Sequence, residues 1–352
     1  MKYRLQLLIP LMILVLKSQL LAQNPYRVGT TAANFLEIGY DAKGTAMGDA
    51  YVCRTEDISS IYWNPAGLAF MEKPEVQFLY QPWIADINTS FVGAGIILPG
   101  IGTLGLSIIG VNYGFMDVTT LADQEGTGER FDASEYAFSF AFARQLTDRF
   151  AIGATFKYIT SRIWSTNASA IATDLGVTIK TGFFSWSGSH NDGLRIGMSI
   201  SNYGSRMQYD GLNLNRYDDP EPDDAGNYAY IPSKYDLSEW ELPLIIRVGI
   251  LVKALKLEHS QLSVEVNALH PNNNAESVNL GMEYAYNVVN VGKFFLRSGY
   301  KALWMPDSEY GITFGAGCQL YIMENTSLKI DFSYRSIGIL GNIACYSVGM
   351  EF

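Results

Sequence analysis

Histidine is the scarcest chemical resource of this 352-residue chain, with His190, His259 and His270 the full complement. The three fall in separate connections. None has a second ligand at the spacing of a zinc centre, or an acid and a nucleophile set out as a triad. The run Gly100-Ile101-Gly102-Thr103-Leu104-Gly105 matches the dinucleotide fingerprint letter for letter. That fingerprint works because a helix N-terminus follows the glycines and receives the pyrophosphate, whereas here the glycines open a strand in a hairpin. Neither a Walker motif nor a nucleophile elbow occurs. Cys53, Cys318 and Cys345 are odd in number and far apart, which suits small buried or lipid-facing residues better than a disulfide framework. The expectation is a protein that is not an enzyme and uses no cofactor or metal.

Two other sets of residues suit binding rather than reaction. Lys157, Asp174, Lys180, Arg195, Arg247, Glu283, Arg297, Lys301, Lys329, Asp331 and Arg335 stand at alternate positions of apolar segments, opposite the apolar set. Enclosed together, charges of both signs make interior salt bridges; a charged ring would instead set ion selectivity. The second set lies in Ser205–Trp240, where Asp218, Asp219, Asp223 and Asp224 are interleaved with Tyr209, Tyr217, Tyr228 and Tyr230. Such a stretch is either a solvated loop or a recognition loop of the kind that uses tyrosine with short polar residues. Its acids are oxygen ligands suited to calcium, but their spacing fits no known calcium loop.

The elements that must carry these residues have period two. Phe150, Ile152, Phe156 and Tyr158 alternate with small or charged residues, as do Leu328, Ile330, Phe332 and Tyr334 with Lys329, Asp331, Ser333 and Arg335. Alternation at 180° per residue means strands with one apolar and one polar face. About fourteen such segments follow Glu75. Their number is even, and their length is near the 9–11 residues of a tilted membrane strand rather than the 5–6 of a soluble sandwich. Connections after odd strands include the longest, Gly114–Ser134 and Ser205–Trp240. After even strands they are tight, except Thr181–Asp192. The fold class expected is all-β: a transmembrane antiparallel β-barrel with long loops outside and short turns in the periplasm. Outer-membrane lipid is then its first partner. Trp83, Trp164, Trp240 and Trp304 fall at outer strand ends, where their rings would meet headgroups. The alternating end Tyr346 to Phe352 looks like a barrel insertion signal.

Composition agrees. Only 17% of residues are charged while 13% are aromatic, which excludes long disorder. A net charge of −10 excludes nucleic-acid binding by bulk charge. Lys2 and Arg4 before the apolar run Leu5–Leu16, with Ala22-Gln23 after it, read as a signal peptide over residues 1–22. Residues 23–74 break the period with glycine, alanine and a short expected helix at Ala32–Ile38, and would fit inside the lumen as a small N-terminal plug. Residues 75–352 form the barrel. Within the plug, Asn64-Pro65-Ala66-Gly67 is a kink motif: Pro65 lacks a donor and Asn64 can bond its own backbone neighbours. It would stand where the plug enters the wall, serving architecture or a gated opening.

At these residues the chain resembles the PorV/PorQ family, relatives of the long-chain fatty-acid transporter barrels. The matching pattern runs from the alanine-rich start through Gly44 and Met47-Gly48-Asp49-Ala50, past Asp57, to Trp63-Asn64-Pro65-Ala66-Gly67-Leu68. The resemblance implies a fourteen-stranded barrel in the outer membrane that serves type IX secretion. Its implied partners are the secretion translocon and exported cargo proteins. The more distant relatives imply a different role, transport of hydrophobic molecules with acyl-chain ligands.

Overall fold

The computed structural model describes residues 27–54, 56–219, 223, 230–323 and 325–352. The expected signal peptide lies outside the described residues. Fourteen strands close into one barrel. They are β1 (Glu75–Pro82), β2 (Asn88–Leu98), β3 (Gly102–Asp117), β4 (Arg130–Thr147), β5 (Phe150–Ile163), β6 (Thr166–Lys180) and β7 (Arg195–Gly204). The second half is β8 (Ile245–Lys256), β9 (Ser260–Pro271), β10 (Ser277–Val288), β11 (Gly292–Leu303), β12 (Tyr310–Tyr321), β13 (Ser327–Ile337) and β14 (Asn342–Glu351). Each pairs antiparallel with its neighbour in sequence, and β1 closes on β14 from Glu75↔Glu351 to Tyr80↔Tyr346. Closure matters because a bilayer offers no water to satisfy a free sheet edge.

Period two appears as two faces. In β13, Asp331, Ser333 and Arg335 are buried while Ile330, Phe332 and Tyr334 are exposed. In β5, Thr155 and Lys157 are buried while Phe156 and Tyr158 are exposed. Apolar side chains thus cover the outside, and polar ones line the inside. No helix among the described residues is long and apolar enough to cross a membrane.

Four local features differ from expectation. The expected helix at Ala32–Ile38 is a single 3-10 turn, Asn34–Glu37, because Ala33 in the left-handed region at φ 53° starts it late. The hairpin β3–β4 runs past the expected loop boundaries, through a bulge between Asn112 and Phe115, and is tied by Arg130 Nε to Asp117 Oδ1 at 2.8 Å. The extension sets Phe115 opposite Asp132 and Met116 opposite Phe131, and the bulge breaks the period, so no run of alternation marks it in the sequence. The long β7–β8 connection carries a ladder of its own, Asn215–Asp218 against Ile231–Lys234. Trp83 is not turned to headgroups: its ring lies 5.2 Å from the buried guanidinium of Arg335. Trp164, Trp240 and Trp304 are exposed.

Candidate functional site

Residues 33–54 and 56–71 pack against the inward faces of the strands, and Tyr40, Ala42, Ala46, Met47, Ala50 and Val52 are fully buried. Their two helices are single turns, α1 (Ala42–Ala46) and α2 (Ser60–Trp63), followed by a 3-10 stretch, Pro65–Phe70. Small residues are what allow this fit. Gly48 takes φ 66° with the Tyr300 backbone so close that a Cβ would stand 2.7 Å from it. On the wall, a Cβ on Gly153 would stand 2.5 Å from Ala66 N, so β5 can accept the segment only where it has no side chain.

Asn64 is the knot of this segment. Its Oδ1 accepts from Ala66 N at 3.2 Å and so caps the 3-10 stretch, where Pro65 at the first position has no donor to waste. Its Nδ2 donates to Val52 O at 2.9 Å, Val177 O at 3.1 Å and Thr178 Oγ1 at 3.2 Å. The motif therefore does not mark the entrance to the wall, as its sequence suggested. The chain enters the wall later, at Glu75, and Asn64 to Gly67 are buried against β5 and β6 near their short-turn ends, beside Gly153, Gly176 and Val177. A buried amide can join three chain segments at once, whereas an entrance needs only a turn.

Ion pairs lock the segment to the strands. Asp49 receives Lys301 at 2.5 Å and Arg335 at 3.4 Å. Arg54 pairs with Glu283, which also meets Arg297 at 2.7 Å, and Arg297 continues to Asp331 at 2.6 Å. Glu56 meets Arg195 at 2.6 Å, while Lys43 pairs with Asp57 within the segment itself. Three further pairs hold the wall itself: Lys157 to Asp174 at 2.5 Å, and Lys329 to Glu75 at 3.1 Å and Glu351 at 2.5 Å, across the closing seam. Most of the inward charges noted in the sequence thus make ion pairs, with Lys329 the most exposed of the strand cations among these pairs, while Arg247 donates to Ser201 Oγ at 2.8 Å. The roles of Lys43, Asp41, Arg54, Glu75 and Glu351 were missed. Glu75 and Glu351 share the inward parity of Gln77 and Gly349, which was the available signal.

Burial sets the electrostatics of the segment. Asp41 is fully buried at the start of α1, and its carboxyl is pushed up to about 6 by desolvation, which outweighs the Lys43 ammonium. Glu56 is drawn down to about 2, first by the Arg195 guanidinium. Below the segment a cavity of about 620 Å³ opens at the short-turn end, lined by charged residues including Lys43, Arg54, Asp57, Glu283, Arg297 and Lys329.

The long-loop residues divide. Tyr209 belongs to the rim, its hydroxyl 2.8 Å from Ser161 Oγ. Tyr217 is exposed and meets Tyr230 edge to face at 6.1 Å. Asp218 pairs with Arg216 at 3.0 Å, and that guanidinium lies over the Tyr235 ring at 4.8 Å. Asp219 and Asp223 lie beyond the ladder strand, and Asp224 and Tyr228 are outside the described residues. Among the described residues no group of three or more His, Cys, Asp or Glu side chains is arranged to hold a metal.

The barrel is similar in fold to solved outer-membrane channels at low identity. CymD, a monoaromatic hydrocarbon channel, shares 11% identity over 89% of this chain and 98% of its own, at a TM-score of 0.58. The Pseudomonas putida toluene transporter TodX shares 12% over 89% and 97%, at 0.55. A Pseudomonas aeruginosa FadL homologue shares 11% over 89% and 98%, at 0.53. No curated protein matches the sequence. The family model for the type IX secretion system protein PorV matches residues 21–236, which is more than half of the chain. With the closed fourteen-stranded barrel and its apolar outer face, that match means the chain belongs to the PorV family of outer-membrane proteins.

Proposed function

We propose that this barrel is a non-enzymatic component of type IX secretion that binds exported proteins through its outer loops, with residues 1–22 removed on export and residues 23–74 serving as a plug. The observation that carries this reading is the pairing of Asp49 with Lys301 and Arg335, together with Arg54 and Glu283. Withdrawing residues 33–71 to open a path would break buried ion pairs on several strands, each costing about 3–5 kcal/mol when one partner is lost. The cavity that remains is charged, which disfavours an apolar solute. A rigid closed scaffold leaves the loops to act, and Tyr217, Tyr230 and Tyr235 are exposed there.

The second reading is a transporter of hydrophobic molecules with acyl-chain ligands. It is favoured by the likeness in fold to hydrocarbon channels. Shortening Asn213–Tyr230 separates the two, because loop length costs little stability. Under the first reading the variant inserts normally and loses the exported proteins that co-purify after mild detergent extraction. If those proteins remain bound while a change at Asn64 stops acyl-chain uptake, the transporter reading stands instead.

A further inference from the structure

The connection between β6 and β7, residues 181–194, lies at the short-turn end, where the others are 99–101, 148–149, 257–259, 289–291 and 322–326. Joining two adjacent antiparallel strands needs about two residues, so its length serves something else. The turn is nonetheless firmly built. Asp192 is 2% exposed and accepts from Ser185 Oγ at 2.5 Å, Lys256 Nζ at 3.0 Å and Ser187 N at 3.2 Å. Leu194 N donates to Phe183 O at 2.7 Å. Strand β8 continues beyond Leu251, its last residue paired with β7, and the turn fills that place: Trp186 Nε1 donates to Lys253 O at 2.7 Å.

This fixed turn pushes apolar surface outward. Phe183 is 72% exposed, Phe184 74% and Trp186 57%. Phe184 sits at φ 57°, a left-handed conformation that is an outlier for a bulky side chain and is kept only where the surroundings impose it. From Thr181 to Asn191 the turn has no acid and no lysine or arginine.

Just inside the rim three cations gather about one carboxylate, with Glu72 near enough to act on Lys180 as well. Lys180 and Arg195 share Glu56 at 4.0 and 2.6 Å, and that carboxylate is half-exposed. Lys253 is close enough to feel Arg195 and Glu56, yet its ammonium donates to the backbone carbonyl of Asn191 at 3.0 Å. We propose that the β6–β7 turn and these cations form a docking site for an acidic segment of a periplasmic protein. Phe183, Phe184 and Trp186 are its apolar anchors, and Glu56 fills the carboxylate position when the segment is absent. A bilayer fits less well. Lys180, Arg195 and Lys253 take the inward parity of β6, β7 and β8, away from the lipid-facing side of the wall. A polypeptide crossing the rim reaches both the aromatic rings and these cations. Aromatic anchors beside cations are the usual composition of a binding hot spot.

The test places the photo-crosslinking residue p-benzoylphenylalanine at Phe184 in the full chain in its native outer membrane. A protease-sensitive protein adduct of discrete mass is expected. Its yield should drop roughly fivefold or more in Lys253→Gln and rise in Glu56→Gln, since charge complementarity governs the encounter. Lys253→Gln is mild enough to keep the heat-modifiable barrel band, which is scored in the same gel. Lipid-only adducts, no adduct at Phe183, Phe184 and Trp186 alike, or a protein adduct indifferent to both charge changes would overturn the proposal. The same crosslinker at Tyr217 reads the outer loops separately, so loss there with retention at Phe184 counts against outer-loop binding alone.

Discussion

Glu283 and Arg297 stand directly opposite each other on β10 and β11, with Arg297 Nε donating to Glu283 Oε2 at 2.7 Å. The same carboxylate takes Arg54 from the interior segment, so one wall acid holds both its neighbour strand and the chain inside the barrel. Glu283→Ala would leave two guanidiniums without this partner. It should destabilise the barrel by about 3–5 kcal/mol. Replacing Glu283 and Arg297 together with apolar residues of similar volume should cost less than the sum of the two single changes, because the Glu283–Arg297 charge pair then disappears as a whole. Urea unfolding in detergent micelles, followed by the heat-modifiable band, measures both.

The outer face makes a depth-dependent prediction. Phe332 lies mid-strand on the exposed side of β13, and Ile322 lies in the turn before it. Phe332→Arg should destabilise by about 2–4 kcal/mol and Ile322→Arg by about 0–1 kcal/mol. Equal effects in a reconstituted bilayer would contradict the placement of the membrane.

Asn64→Leu keeps the volume but removes one cap acceptor and a donor to Val52 O, Val177 O and Thr178. A lost cap costs about 0.5–2 kcal/mol, and each buried carbonyl left unpaired adds about 1–3 kcal/mol. Hydrogen exchange should accelerate through residues 50–70 while strands β9 to β12 keep their protection. Uniform loss of protection would mean that the segment and the wall unfold as one unit.

Asp41 gives a pH signature of unusual sign. Its folded pKa, about 6, lies above the ordinary 3.8, because burial favours the neutral acid. Its contribution is therefore full below about pH 4 and is lost as pH rises through 6. Asp41→Asn should raise stability at pH 7.5 by about 1–3 kcal/mol and flatten the profile between pH 4 and 6. Asparagine keeps a cap acceptor for Gly44 N. Its amide takes the place of Oδ1, which accepts from Gln77 Nε2 at 3.2 Å, and a flip of the Gln77 amide presents Oε1, buried and without a partner in the native arrangement, to accept from it. A titration of unfolding midpoint against pH in both forms checks it. Lower stability of the variant at every pH would refute the assignment.

Sequence alone carried the barrel. Alternation such as Leu328 to Arg335 is a local property, and a bilayer outside with polar contents inside leaves one arrangement for strands of that length. It also placed Lys157, Asp174, Arg297, Asp331 and Arg335 on the inward face, since parity along a strand follows from residue number. Partners did not follow. Asp49 meets Lys301 and Arg335, and Arg54 meets Glu283, across more than two hundred residues of chain, and these meetings depend on barrel curvature and on where an irregular segment comes to rest. Trp83 turned inward because Arg335 offers a cation beneath its ring, which no period in the sequence reports. Asn64 was legible as a backbone-bonding residue but not as one that bonds three segments. Short-range pattern determines which face a strand residue takes; only closure of the barrel around residues 33–71 decides which charge it meets, because electrostatic pairing is settled by distance in space.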